Sequence, residues 1–176
     1  MSRTTRRFGR PHLLDDHAIG LEARAEHDDH LSLKLWLRLL ACSTQVETEV
    51  RQRLRSGFGI SLARFDYLAQ LHRHAEGLSM STLSRYLMVT GGNVTALTDE
   101  LEREGLVQRD SDPEDRRSWR LRMTAAGRKA FDRIAREHEQ WVIELFAGLD
   151  AAQKQSLYEG LGRLRVQMAA TQDKAA

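Results

Sequence analysis

The chain has 176 residues, 27 Lys and Arg against 25 Asp and Glu, and a formal charge of only +2, so any basic surface for a polyanion must be local. That length suits one domain with a substantial core, or a small domain with helical extensions. A single cysteine, Cys42, excludes an internal disulfide framework and fits a reducing compartment. No stretch approaches a membrane span or the apolar segment of a signal peptide, so a cytoplasmic protein without a membrane partner is expected.

Residues 1–28 mix Arg, His, Asp, Gly and Pro without apolar periodicity and read as a basic arm. From Leu31 the text "LSLKLWLRLL" alternates like a strand, but the pattern runs on through Leu39, Cys42, Val46, Val50 and Leu54 at helical spacing, which predicts one long helix. Leu33, Trp36, Leu37 and Leu40 make its first half apolar nearly all round, and a second chain is the natural cover. Cys42 lies on the periodic stripe, which predicts a buried, inert thiol.

Two shorter helices follow, with Ser61 and Ser79 as expected N-caps. The first carries Phe65, Leu68, Ala69, Leu71 and His72 on its apolar side, the second Leu83 and Leu87. The helix from Gly91 to about Glu104 sets Val94, Leu97 and Leu101 inward and Gly92, Thr95, Ala96, Asp99 and Arg103 outward. Thr90 is its expected cap. The text from Thr90 to Thr98 contains no charge, and small residues leave the first backbone N–H groups open to an anion. A helix entering the major groove tolerates such a start, whereas carboxylates there would face phosphates.

"LVQRD", "SDPED" and "RRSWRLRMT" then read as strand, turn and strand, with Val107 and Arg109 facing Trp119, Leu121 and Met123. Arg116, Arg117, Arg120 and Arg122 suit phosphate contact or minor-groove insertion, and Asp115 beside the tip can hold an arginine. The bland alternative is an exposed hairpin whose arginines pair with neighbouring acids. Thr124 caps a helix with Phe131, Ile134, His138, Trp141, Leu145 and Leu149, and Asp150 a last one with Leu157, Leu161, Leu164 and Met168. The expected fold is mainly α with a small β-hairpin wing: a winged helix-turn-helix between helical extensions.

The stretches "LSRYLMVTGGNVTALTDELEREGLVQR" and "DPEDRRSWRLRMTAAGR" resemble the MarR family of winged-helix transcriptional regulators, over about residues 31–168. The resemblance implies a domain over residues 29–176, with the winged helix at about 60–124 and dimerisation helices at about 30–56 and 125–170. It implies a homodimer on a pseudo-palindromic operator in double-stranded DNA, acting as a repressor until a small effector binds. Thr90, Gly91, Gly92, Asn93, Thr95 and Ala96 fall in the groove-facing part of the recognition helix. Asp115, Arg116, Arg117 and Arg120 fall in the wing.

"RFDYLAQL" with "LMVTGGNVT" looks like the members that respond to aromatic acids or aromatic acyl-CoA thioesters. On that resemblance Trp36, Leu40, Arg64, Phe65 and His72 are effector contacts, although ordinary core packing would also account for the apolar ones. No cofactor and no metal site is expected. His27, His30, His72, His74 and His138 with Asp28 and Asp29 invite a zinc-responsive alternative, as the resemblance to a family with zinc-sensing members implies, and Cys42 a redox one, but no structural zinc spacing occurs. No nucleophile elbow, nucleotide loop or paired-carboxylate pocket appears, so an enzyme is not expected. A winged helix used only for protein contacts is the remaining alternative.

Overall fold

The computed structural model describes residues 31–87, 91–111 and 119–172. The expectations at Thr90, Asp115, Arg116 and Arg117, in the arm and at residues 27–30 lie outside the described residues. The chain divides into two units, residues 1–57 and 58–176.

In the first unit the expected long helix is α1, Leu31–Phe58, 28 residues and reaching one residue past the boundary. Glu47 pairs with Arg51, and Glu49 with Arg53 at 2.7 Å, each four residues apart on one face. Val50 and Leu54 are buried, whereas Leu31, Leu33, Leu35, Trp36, Leu39 and Leu40 are exposed. Cys42 is exposed as well, which corrects the expectation of a buried thiol. Helical spacing tells which residues share a stripe; burial needs something lying on that stripe.

The second unit runs α2 (Leu62–Arg73), β1 (Leu78–Ser79), α3 (Met80–Leu87), α4 (Gly91–Arg103), β2 (Val107–Ser111), β3 (Trp119–Met123), α5 (Ala125–Leu145) and α6 (Ala151–Gln172). The three strands form an antiparallel sheet in the order β1-β3-β2. The hairpin has the expected register, Val107 opposite Met123, Arg109 opposite Leu121 and Ser111 opposite Trp119. The two-residue β1 is too short for an alternation to announce it. It pairs Leu78 with Leu121 and Ser79 with Arg120.

The caps predicted at Ser61, Ser79, Thr124 and Asp150 are in place. The Ser61 hydroxyl accepts the Arg64 N–H at 3.2 Å and the Ser79 hydroxyl the Thr82 N–H at 3.2 Å. The Asp150 carboxylate accepts the Gln153 N–H, and the Gln153 side chain returns a bond to the Asp150 N–H, both at 2.9 Å. Contrary to expectation, α5 ends at Leu145, so Leu149 lies in the turn before α6. The stripe of α6 is uncovered: Leu157, Leu161, Leu164 and Met168 are all exposed.

The core of this unit gathers Phe65, Tyr67, Leu68 and Leu71 of α2, Leu83 of α3, Val94 and Leu101 of α4, Val107 and Leu121 of the sheet, and Phe131 and Ile134 of α5. Each such side chain is worth about 1.5–3 kcal/mol when fully buried. Rings tie α2 to α5: Phe65 lies 5.4 Å from Phe131 and 4.6 Å from His138, and His72 lies 4.9 Å from Phe131.

Two glycines join α4 to β2 and α5. Gly105 has φ of 70°, and its N–H bonds the Glu102 carbonyl while the Leu106 N–H bonds that of Leu101, both at 2.9 Å. This left-handed ending closes the helix and turns the chain into β2. Gly127 stands against the Leu106 backbone, where an added Cβ would lie 2.0 Å from the carbonyl oxygen. Thr124 completes the joint, donating to the Gly105 carbonyl at 2.7 Å and accepting from the Gly127 N–H at 2.9 Å.

Candidate nucleic-acid interface

The start of α4 carries the residues predicted to enter a groove. Gly91, Gly92, Asn93, Thr95 and Ala96 are all exposed, while Val94 and Leu101 hold the opposite face in the core. Thr95 donates its hydroxyl to the Gly91 carbonyl at 3.1 Å, which ties it back along the helix and leaves its methyl to the surface. An added Cβ at Gly91 or Gly92 would meet nothing within 4 Å, and neither glycine has a positive φ. No contact within the described chain therefore requires glycine there.

The three carboxylates of α4, Asp99, Glu100 and Glu102, come later in the helix, Glu104 follows in the turn after it, and each is drawn to an arginine. Arg64 of α2 donates to Glu100 at 2.9 Å and to Glu104 at 2.8 Å, with a second bond to Glu104. Arg109 of β2 donates to Asp99 and Glu102. The bond to Arg64 holds the Glu104 carboxyl below its ordinary range, and the same bond raises the Arg64 guanidinium. Two clamps thus hold α4, one to α2 and one to the sheet, and offset its negative charge behind the neutral tip. The clamps were not foreseen; only the run of acids after residue 98 hinted that cations must meet them.

Arg120 lies on β3 opposite Asp110. Arg122, two residues on and so on the same face, donates to the Glu76 carbonyl at 2.9 Å.

Of the residues expected to meet an effector, Trp36 and Leu40 are exposed on α1. On α2, Phe65 is buried among Phe131 and His138. His72 bonds Asp132 at 2.9 Å, and Arg64 is taken by the clamp. Two polar residues of the core were not among those the sequence pattern placed there. Tyr67 and Thr98 are both fully buried, their oxygens 2.6 Å apart. Among the described residues no group of three or more His, Cys, Asp or Glu could hold a metal ion, and no helix is long and apolar enough to cross a membrane.

A helix pair leading into α4, followed by a two-stranded wing and flanked by long helices, defines a winged helix-turn-helix protein. Residues 58–118 match the model of the MarR family. A solved MarR family transcriptional regulator from Silicibacter pomeroyi is 31% identical, with a TM-score of 0.64 over 83% of this chain and 99% of that one. BadR of Rhodopseudomonas palustris, a transcriptional activatory protein, is 31% identical over 119 residues, 66% of this chain and 67% of its own. Streptococcus pneumoniae FabT, solved in complex with DNA, shares the fold at 24% identity, with a TM-score of 0.67 over 80% of this chain and 99% of that one. The chain spans 65 to 70% of the length of the curated relatives it matches first. The chain belongs to the MarR family of helix-turn-helix transcriptional regulators.

Proposed function

We propose that the protein binds double-stranded DNA sequence-specifically and regulates transcription, as a homodimer whose two α4 helices enter successive major grooves. The observation that carries this is the uncharged, exposed start of α4, glycine-paired where no contact among the described residues needs glycine, with Asp99, Glu100, Glu102 and Glu104 behind it engaged by Arg64 or Arg109. Gly91, Gly92, Asn93, Thr95 and Ala96 are the groove residues of this reading, with Thr90 at the cap on phosphate. Arg116, Arg117 and Arg120 serve the wing, Asp115 steadying its tip. The protein works in the cytoplasm, beside its operator.

Dimerisation is supported by two apolar surfaces left uncovered in a single chain, the first half of α1 and the stripe of α6. Two-fold symmetry then makes the operator pseudo-palindromic, with half-sites about 34–36 Å apart. The regulatory reading is of a repressor that leaves its operator when an aromatic acid or aromatic acyl-CoA binds and changes the spacing of the two helices. Trp36 and Leu40, exposed on α1, are its first candidate contacts. Arg64 serves an effector carboxylate only at the expense of its bonds to Glu100 and Glu104.

The test is fluorescence anisotropy against duplexes selected from the genome, repeated over a salt series. Arg117→Ala should weaken binding and lower the slope of log affinity against log salt by about one contact's worth. A wild-type protein with no preference for any duplex at low ionic strength would sink the proposal. Thermal shift with benzoate and benzoyl-CoA tests the effector class.

A further inference from the structure

We propose that the buried Tyr67–Thr98 hydroxyl pair sets the rotation and height of α4 on α2, so that both act as positioning residues for base recognition; this rests on the DNA-binding function proposed for α4. Both side chains are fully buried, and their oxygens are 2.6 Å apart. Thr98 has one hydroxyl hydrogen, directed at the Val94 carbonyl at 2.7 Å, a better acceptor than the Met80 sulfur at 3.7 Å. Tyr67 is therefore the donor to Thr98. Burial pushes its phenol up to about 12, so it keeps that proton at any working pH.

The resulting chain runs from the Tyr67 hydroxyl through Thr98 to the Val94 backbone, ending between Asn93 and Thr95 on the exposed tip. The other contacts of α4 are less directional. Val94 and Leu101 are buried by apolar packing, a non-directional attraction. The arginine clamps meet α4 at carboxylates that are half-exposed at Asp99 and Glu100, where water competes for them. A short hydroxyl pair between two fully buried side chains loses its bond at once if the helix slips. Stability alone does not call for it, because replacing both partners by apolar groups of the same shape is nearly neutral. What the pair adds is a single orientation.

The decisive variant is the double replacement Tyr67→Phe with Thr98→Val in the full-length protein, which removes both hydroxyls and leaves no buried group unpaired. Its melting temperature should stay close to wild type and its affinity for random-sequence duplex unchanged. Its ratio of operator to random-duplex affinity should fall about tenfold, about 1.4 kcal/mol. Amide hydrogen exchange should speed up within α4 while α2 and α5 keep their protection. Wild-type discrimination in the double variant, or unchanged exchange in α4, overturns the inference. If the wild-type protein itself prefers no duplex, the DNA-binding reading fails, and the exchange measurement alone decides the positioning role.

Discussion

Gly92→Ala separates what the start of α4 does for the fold from what it does for DNA. The new methyl meets nothing within 4 Å, and the residue has no positive φ to strain. Alanine is favoured over glycine in a helix interior by about 1 kcal/mol, and by less in a first turn. Folding stability should thus hold or rise by under about 1 kcal/mol in urea melts followed by circular dichroism. On the proposed reading the same methyl would stand between the α4 backbone and DNA, at a cost comparable to one poorly matched base contact, about 1–3 kcal/mol or about 5- to 150-fold in Kd. Anisotropy with a labelled operator reads this directly. Gly148→Ala, whose added methyl also meets nothing but which lies between α5 and α6, should leave both measurements alone. A Gly92→Ala protein that binds its operator with wild-type affinity would refute the idea that this turn approaches the duplex.

Gly127→Ala should do the opposite, since its Cβ would overlap the Leu106 carbonyl. Overpacking of this kind costs about 1–3 kcal/mol, and an unshifted urea midpoint would show that α5 can move aside. Burial beside Phe65 pushes the His138 imidazole below its ordinary 6.5, so the unfolded chain takes up the proton first as pH falls. The stability held at neutral pH should therefore decline below about 6.5, and His138→Phe should flatten that part of the profile; an unchanged profile would show that other groups cause it. Leu161→Glu replaces a side chain already 44% exposed, so the single chain should fold as before while sedimentation equilibrium reports half the dimer mass. A variant that remains dimeric removes α6 from the proposed interface.

Local pattern was enough for much of this molecule. Helical spacing marks α1 and α5, and hydroxyl or carboxylate residues at Ser61, Thr124 and Asp150 mark starts that depend on bonds only three residues away. The hairpin register follows from alternation around a turn, and the neutral stretch before Asp99 is visible as plain text. These features are decided by neighbours in the chain, which is why they can be read without a fold.

Tertiary structure decided the partners. Arg64 finds Glu104 across 40 residues, and Tyr67 finds Thr98 across 31; no local rule distinguishes such an arginine from a ligand contact, or such a threonine from a surface one. It also decided that β1 exists, because two residues become a strand only when β3 lies alongside. Cys42 and the stripe of α6 make the same point from the other side: periodicity establishes an apolar face, and only the arrangement of other elements determines whether that face is covered.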